Sequence, residues 1–427
     1  MRNFARIGIL FLLFGVSPAA HSQIIDSTST PEELWQRVRK TLPPIELSVT
    51  KDEIVNSLTD PQTKLRRIEF TFISQEIEGR KWTHPCVAFL PVKQKDYLRP
   101  GRRGKIVIVT HPNFHETDAF VMNYGDPVAT LTGYPTLVMP NPGVGRESDF
   151  GVMIDREKKK LLNDPADHNY FRMAVPCLLA LDIMADILKI NKNEIRAIIG
   201  GHSKRATGAY VAAAIDRDRI AGVVYMGNES LWGITEGYPA VCPGKIQQWV
   251  KARVLYIGAS NEFYRPGKYE YHMYNINRIQ ETMGGAWTIE YIPNYIHYAM
   301  SEKHFIDWRM WVSHVFDGRP VTEINDMGYR VVEGGTIFRV HVQSPNTVIH
   351  VKLWHVYNGD EPPYWIDLFW KPNLMEKKEN GYYEGFVGGK LPDAWIVEVK
   401  DIARGIPGYV SSLPQDITGK RNVQDEY

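Results

Sequence analysis

Cysteine is scarce in this chain, which has three cysteines among 427 residues. Cys86, Cys177 and Cys242 lie far apart, so the sequence lacks the paired cysteine spacing of a structural zinc site. In an oxidising compartment three cysteines allow one disulfide and one leftover thiol, and the sequence does not choose the pair.

An excess of charge of one sign is also missing. The chain has 50 basic and 49 acidic residues and a formal net charge of +1. This balance gives no reason to expect nucleic acid as a partner. Internal repeats at solenoid periods and low-complexity segments are absent as well, which argues against a repeat protein. With 44% hydrophobic residues, the chain has enough apolar side chains for one large core or two smaller ones.

The chain has no long apolar run near its start, only a short one over 7–16. Arg2 and Arg6 come before this run, and the small residues Ala20 and Ser22 follow it, which is the order of a secretory signal peptide. The run is too short for a stable bilayer anchor. The sequence therefore predicts a signal peptide over 1–22 and a soluble periplasmic or secreted protein cleaved near Ser22.

The next 300 residues show the pattern of an α/β domain. Segments 66–75 and 83–92 are rich in β-branched and aromatic residues, which predicts an antiparallel hairpin. Short apolar runs then alternate with helical patterns, as in a doubly wound, mostly parallel sheet. Helices are predicted over 170–190 and 303–316. We interpret 23–325 as one α/β domain.

The helical pattern stops after that domain. Between 336 and 403 there are five strand-like runs separated by Pro, Asn and Gly, including "YWIDLFW" at 364–370. This pattern predicts a small sandwich-like all-β domain over 326–410, followed by a tail over 411–427. Its tryptophans (Trp354, Trp365, Trp370 and Trp395) could stack on sugar rings, but alternation along strands favours the core for most of them.

The segment "IGGHSKRATGAY" at 199–210 reads as a buried strand, a sharp turn and a helix. A serine on such a turn projects its hydroxyl beyond the sheet edge, and the helix N-terminus favours negative charge beside it. Ser203 is therefore a candidate nucleophile, and its alternative role is an ordinary helix cap. Arg205 occupies the place where a second glycine is expected, while Gly200 and Gly201 can supply the tight turn.

A catalytic serine needs a base, which in α/β hydrolases lies in the loop after the last strand. Here "WTIEYIPN" is followed by His297, our candidate base. His304 is close in sequence, but it stands at a predicted helix start, where a structural role is expected.

The third member of the triad has two candidates. Asn261 stands where this fold usually has a carboxylate, and Glu262 follows it. Glu229 lies after the preceding strand and is the second candidate. A carboxylate would orient the base and stabilise its cationic form, whereas an asparagine could only orient it.

Backbone amides are the candidates for an oxyanion hole. We expect one from Lys204 and one from Asn113 or Phe114, since Pro112 has no amide hydrogen to give. A metal site is disfavoured in the loop after 111, because its potential ligands lack the helical H-E-x-x-H spacing. Those ligands are His111, His115, Glu116 and Asp118. The sequence predicts neither a metal nor a cofactor.

Several segments together resemble the PhoPQ-activated pathogenicity-related protein family. They are "GGHSKRATGAYVAAAIDRDRIAGVVY", "LYIGASNEFYRPGKYEYHMYN", "IEYIPNYIHYAM", "VKLWHVYNGDEPPYWIDLFWKP" and "YYEGFVGGKLPDAWIVEV". The resemblance covers about residues 100–400 and implies the α/β-hydrolase fold, Ser203 as nucleophile and His297 as base. Ser-Lys-Arg is the family's own form of the elbow. The chain departs from the family at Ala206, where glycine is usual, and at Asn261, where aspartate is usual.

The elbow region is also similar to glucuronoyl and acetyl-xylan esterases, in which a glutamate placed like Glu229 can serve as the acid. The sequence thus predicts an exported serine hydrolase that cleaves a carbohydrate ester or a small acyl ester through an acyl-enzyme, with a peptidase as a variant. The alternative is a catalytically degenerate hydrolase fold that binds or signals. The sequence is silent on oligomeric state and predicts no membrane insertion.

Overall fold

A computed structural model of the chain describes residues 29–77, 79–92, 98–111, 117–141, 164–227, 240–242, 245–261, 276, 283–357 and 368–417. The predicted signal peptide over 1–22 lies outside these residues. No helix within them is both long and apolar enough to cross a bilayer.

A nine-stranded sheet forms the centre of the first domain. Its spatial order is β1-β2-β3-β5-β4-β6-β7-β8-β9. The pairings of β1 with β2, β2 with β3 and β3 with β5 are antiparallel. The pairings along the rest of the sheet, from β5 through β4 and β6 to β9, are parallel. The strands are β1 (Leu47–Asn56), β2 (Lys64–Ile77), β3 (Arg80–Pro91), β4 (Lys105–His111), β5 (Thr136–Pro140), β6 (Arg196–His202), β7 (Ile220–Met226), β8 (Arg253–Ala259) and β9 (Trp287–Ile292).

Helices cover both faces of this sheet. The described α-helices are α1 (Pro31–Arg39), α2 (Thr117–Phe120), α3 (Asp126–Thr132), α4 (Asn169–Leu188), α5 (Lys204–Ile215) and α6 (Glu302–Asp317). One apolar core lies between the sheet and α1, α4 and α5, and the other lies between the sheet and α2, α3 and α6. The predicted hairpin, the parallel strands and the helices near 170–190 and 303–316 are confirmed, and the domain has the α/β-hydrolase fold.

The C-terminal region is all β, as predicted. Two antiparallel sheets, with orders β10-β11-β15-β14 and β13-β12-β16-β17, pack around a shared core that includes Phe338, Leu353 and Trp395. The strands are β10 (Glu323–Val332), β11 (Gly335–Gln343), β12 (Thr347–Val356), β13 (Lys371–Leu374), β14 (Glu376–Lys377), β15 (Tyr382–Gly388), β16 (Ala394–Ala403), β17 (Ile406–Ser411) and β18 (Gln415–Asp416).

Part of the predicted strand pattern was wrong. The "YWIDLFW" segment is not a strand over 368–370, and β13 begins only at Lys371, while 364–367 lie outside the described residues. Trp370 is fully buried, but in the core of the α/β domain rather than between the two β sheets. Of the other tryptophans, Trp395 is buried, Trp354 packs at the edge of the α/β core, and Trp365 is outside the described residues.

All three cysteines are buried free thiols, so the disulfide that the sequence allowed is not formed. Cys86 belongs to β3 and Cys177 to α4. Burial raises the pKa of the Cys177 thiol to about 12 and that of Cys86 well above its usual value. Both side chains therefore act as small apolar core residues.

A buried ionic cluster joins the two domains. Lys303, in the first turn of α6, contacts Glu290 of β9 at 2.8 Å and also Glu398 of β16. Both carboxylates are almost completely buried. On the same helix, the Asp307 carboxylate accepts a hydrogen bond of 2.8 Å from the amide of Tyr409 in β17. The cluster therefore fixes the start of α6 against the β domain.

A second buried ion pair joins the two domains at the other end of α6. Arg319, just after α6, donates to Asp401 of β16. Thr322 and Asn346 also donate to the Asp401 carboxylate, the latter at 2.8 Å. A buried charge is costly unless it is paired and hydrogen-bonded, and all of these contacts satisfy the Asp401 carboxylate.

We expect Glu290→Gln to change the pH dependence of stability. Burial raises the pKa of Glu290 to about 7 from 4.5, although the ammonium of Lys303 opposes this. A carboxyl with a raised folded-state pKa binds its proton more tightly in the folded state. The free energy of unfolding of the wild type therefore falls as the pH rises from about 4.5 to about 7, by about 3 kcal/mol.

The glutamine does not ionise, so the variant should match the wild type near pH 5 and be more stable above pH 7. Urea unfolding across this pH range measures the difference. The exposed Glu376 provides the control, because Glu376→Gln should leave the slope unchanged. An identical pH slope in Glu290→Gln and wild type would contradict the assignment.

Candidate active site

Ser203 occupies the turn between β6 and α5 and has a strained backbone, with φ 60° and ψ −135°. A positive φ is uncommon for a residue with a side chain and costs about 1–3 kcal/mol. Ser203 is 7% exposed, and its side chain makes no capping hydrogen bond to the first turn of α5. The turn has the strained backbone that a nucleophile elbow requires, and Ser203, although it is the N-cap residue of α5, does not cap the helix with its side chain.

The glycines before the serine serve packing rather than the turn. Neither Gly200 nor Gly201 has a positive φ, so the expectation that they supply the tight turn is wrong. A Cβ on Gly201 would lie 2.2 Å from Thr110 Oγ1 and 3.0 Å from the Cβ of Arg205. Only a residue without a side chain therefore fits between β4 and the start of α5.

Arg205 is accommodated by contacts of its own. Its Nε donates a 2.5 Å hydrogen bond to the carbonyl of Asn141, which follows β5. Asn141 is itself buried and donates through Nδ2 to the carbonyl of Met173 in α4. The arginine thus ties the N-terminus of α5 to the end of a neighbouring strand, and its long side chain does not disturb the elbow.

His297 lies in the loop after β9, at the same edge of the sheet as Ser203. Its ring centroid is 4.4 Å from that of His202, the residue before the serine. Gly227, after β7, lies beside both rings: a Cβ built on it would be 3.4 Å from His297 Nδ1 and 3.6 Å from His202 Cδ2. The fold therefore places the predicted base next to the elbow.

Burial lowers the pKa values of the two other histidines near the site. Burial, with the charges of neighbouring groups adding to it, lowers the pKa of His202 well below its usual value. Burial also lowers the pKa of His304 to about 3. Nδ1 of His304 is 2.6 Å from the hydroxyl of Ser301, the N-cap residue of α6. Both histidines are therefore neutral, and His304 has the structural role that its position predicts.

Two tyrosine side chains make hydrogen bonds to the loop that carries His297. The hydroxyl of Tyr124 donates to the carbonyl of Ala299, and its ring packs edge-on against Phe305 and Trp308. Burial raises the pKa of Tyr124 well above its usual value, so it remains a neutral donor. The hydroxyl of Tyr295 accepts a 3.2 Å hydrogen bond from the amide of Met300. The loop thus has a defined conformation on both sides of the histidine.

Asn261 contacts the preceding residue Ser260 and the backbone of Leu368. Its Nδ2 donates to the carbonyl of Leu368 at 2.9 Å, and its Oδ1 accepts from the Ser260 hydroxyl at 2.7 Å. The backbone amide of Asn294 donates to the same Ser260 hydroxyl at 2.7 Å. Both carboxylate candidates, Glu229 and Glu262, lie outside the described residues. The choice between them stays a prediction.

The predicted oxyanion donors are only partly within the described residues. The Ser203 amide donates to the carbonyl of Met226 at 2.8 Å, so a donor at the elbow has to be a later amide, and Lys204 is the first residue of α5. Asn113 and Phe114 lie outside the described residues.

His111 packs against the Phe120 ring with centroids 5.0 Å apart. No group of three potential metal ligands occurs in the described part of the chain.

Sequence reasoning missed three residues of this site: His202, Gly227 and Asn294. Asn294 has a positive φ of 57°, and an asparagine after a strand-ending proline is a signal that could have indicated a turn residue there. Gly227 also has a positive φ, of 67°. The role of His202 depends only on its contact with His297, which no sequence pattern encodes.

Comparison with solved structures finds α/β-hydrolases. The dienelactone hydrolase of Anabaena variabilis is 16% identical over 58% of this chain and 97% of its own, with a TM-score of 0.37. The S-formylglutathione hydrolase of Agrobacterium tumefaciens is 11% identical over 64% and 96%, with a TM-score of 0.38. Lipase A of Candida antarctica is 11% identical over 64% and 82%, also at 0.38. No protein-family model and no curated protein sequence matches the chain.

Proposed function

We propose that this protein is an exported serine hydrolase that cleaves a carboxylic ester through an acyl-enzyme. The observation that carries the proposal is the geometry of the elbow. Ser203 has a strained backbone and its side chain makes no capping bond. The ring of His297 lies beside that of His202, the residue before Ser203. Strained residues of this kind persist at functional sites, where the surrounding structure maintains them. A purely structural serine would gain nothing from a positive φ.

The proposed reaction has two halves. The Ser203 hydroxyl attacks the ester carbonyl while His297 takes its proton, which gives a tetrahedral intermediate with a negatively charged oxygen. The intermediate collapses, His297 returns the proton to the leaving alcohol, and the acyl group stays on Ser203. Water, activated by His297, then hydrolyses this acyl-enzyme and regenerates the free serine.

Two further groups complete the proposed site. The amide of Lys204, aided by the N-terminus of α5, stabilises the oxyanion together with the amide of Asn113 or Phe114. Glu262 or Glu229 orients the His297 ring and stabilises its cationic form. Neutral His202 packs against that ring without adding a competing positive charge.

The substrate class follows from resemblance rather than from geometry. The likeness to the PhoPQ-activated pathogenicity-related proteins, and locally to glucuronoyl and acetyl-xylan esterases, favours a carbohydrate ester or a small acyl ester as substrate. Export fits the predicted signal peptide over 1–22. A catalytically degenerate binding protein is the second candidate, favoured by Asn261, an asparagine where this fold usually has a carboxylate.

A fluorophosphonate probe tests the proposal directly, because it reacts with an activated serine and leaves a covalent adduct. We expect one adduct per chain at Ser203, detected by intact mass and peptide mapping. Ser203→Ala should lose the adduct, and Ser48→Ala, which changes an exposed serine on β1, should keep it. A folded wild-type protein without an adduct at Ser203 would establish the binding protein instead.

A further inference from the structure

Among the described residues, a short segment of the β domain, residues 368–370, lies at the edge of the main sheet where β8 and β9 end. We call it the bridging segment. The carbonyl of Leu368 accepts from Asn261 Nδ2 at 2.9 Å. The amide of Trp370 donates to Asn294 Oδ1 at 2.7 Å, and the Trp370 carbonyl accepts from Asn294 Nδ2 at 2.9 Å. Asn261 follows β8 and Asn294 follows β9, so the segment crosses the carboxyl ends of both strands.

These contacts fix the backbone of the bridging segment on either side of Phe369. Asn294 forms a two-bond pair with Trp370, the kind of contact that a neighbouring strand would make. Ser260 links the two asparagines, because its hydroxyl donates to Asn261 and accepts from the amide of Asn294. The segment is therefore held by Asn294, which leads into the His297 loop, and by Asn261, which follows β8.

The side chains of the segment divide into two groups. Trp370 is fully buried in the α/β core, and Leu368 packs against the same core. Phe369 lies between them and is 71% exposed. The side chains of Leu368 and Trp370 thus hold the Phe369 ring outward. The ring lies at the sheet edge where Ser203 and His297 also lie. Exposing a large apolar ring on a fixed backbone has a cost in solvation that a ligand contact would offset.

The His297 loop adds apolar surface at the same edge. Ile296 and Tyr298, on either side of the histidine, are 59% and 45% exposed. Phe369 is linked to this loop through the bonds of Trp370 to Asn294, three residues before His297, so three exposed apolar side chains lie along this edge of the sheet. A substrate whose acyl or alcohol part is apolar would cover them, whereas a compact acetyl group would leave Phe369 uncovered.

We propose that Phe369 is a specificity-determining residue that contacts an apolar arm of the substrate, with Asn261 and Asn294 as the positioning residues that hold it there. This inference rests on the proposed serine-hydrolase function and extends it by naming the class of substrate group. It also gives the β domain a role in the active site itself.

Two fluorophosphonates that differ only in the size of one arm, methyl or octyl, test the inference. We expect the wild type to react faster with the octyl probe, and Phe369→Ala to lose roughly tenfold of that preference. Reaction with the methyl probe should change less than about twofold. The matched control is Phe386→Ala, which removes an exposed ring on β15 of the other sheet and should leave both rates unchanged.

The two proposals fail in different ways. A wild type that does not react with either probe contradicts the serine hydrolase. A wild type that reacts equally with both, or a Phe369→Ala variant that keeps its octyl preference, contradicts the specificity role and leaves the hydrolase intact. An equal loss for both probes would assign Phe369 a structural role and also overturn the inference.

Asn261→Asp separates positioning from catalysis. The carboxylate would face the Leu368 carbonyl in place of an amide donor, so the contact becomes repulsive. We expect the octyl preference to fall towards that of Phe369→Ala, with a smaller change in the methyl rate. A rise in both rates would instead identify position 261 as the triad acid and overturn the positioning role.

Discussion

Replacing His297 by alanine is expected to slow ester hydrolysis by on the order of 10⁴-fold while leaving the fold intact. Without a base the Ser203 hydroxyl is a weak nucleophile, and no proton donor remains for the leaving alcohol. Steady-state hydrolysis of a chromogenic acetate ester measures the effect. The Ser203→Ala and His297→Ala double variant should be no slower than either single variant, because the two residues act as one unit.

His341→Ala is the matched control for this experiment. His341 lies on β11 and packs against the Tyr382 ring, within the β domain, so its loss should not change turnover. Circular dichroism and the unfolding midpoint should show that His297→Ala remains folded. A His297→Ala variant with the turnover of the wild type would rule out this histidine as the base.

Replacing Lys303 by methionine should have the largest effect on stability, a loss of about 3–5 kcal/mol in the free energy of unfolding near neutral pH. Burial would lower the pKa of Lys303, but the negative charges of Glu290 and Glu398 together raise it, so the ammonium stays charged. Methionine fills similar volume but leaves Glu290 and Glu398 buried without a cation. Guanidinium unfolding monitored by tryptophan fluorescence measures this loss.

The control is Lys377→Met, which changes an exposed lysine of β14 and should alter the free energy of unfolding by less than about 0.5 kcal/mol. Adding Glu398→Gln to Lys303→Met should recover part of the loss, because it removes one of the unpaired charges. If Lys303→Met unfolded at the same denaturant concentration as the wild type, the cluster could not be what holds the two domains together.

Much of the fold could be predicted because most strands of the main sheet are buried on both faces and therefore appear as continuous apolar runs. β4, β6 and β8 are examples whose residues after the first are all buried. β1 could not be found this way. It is an edge strand with no buried side chain, and its position depends on backbone pairing with β2.

The same reasoning explains the errors in the β domain. The apolar content of "YWIDLFW" predicts a strand of the β domain, but Trp370 packs in the core of the α/β domain and Leu368 packs against it. A local pattern reports that a side chain is buried and not which neighbour buries it. β17 was missed because "IPGYVS" contains a proline and a glycine, which usually interrupt strands.

The sequence by itself determined the α/β-hydrolase fold, the all-β C-terminal region, and the positions of Ser203 and His297 relative to their strands. These features follow from local periodicity and from the order of strand, turn and helix, which short segments encode. Only the tertiary structure decided that Ser203 has a positive φ, that His202 and Gly227 flank His297, and that Asn261 binds the bridging segment. Those contacts join residues far apart in the chain, and their energies depend on distances that exist only once the sheet and the β domain have packed together.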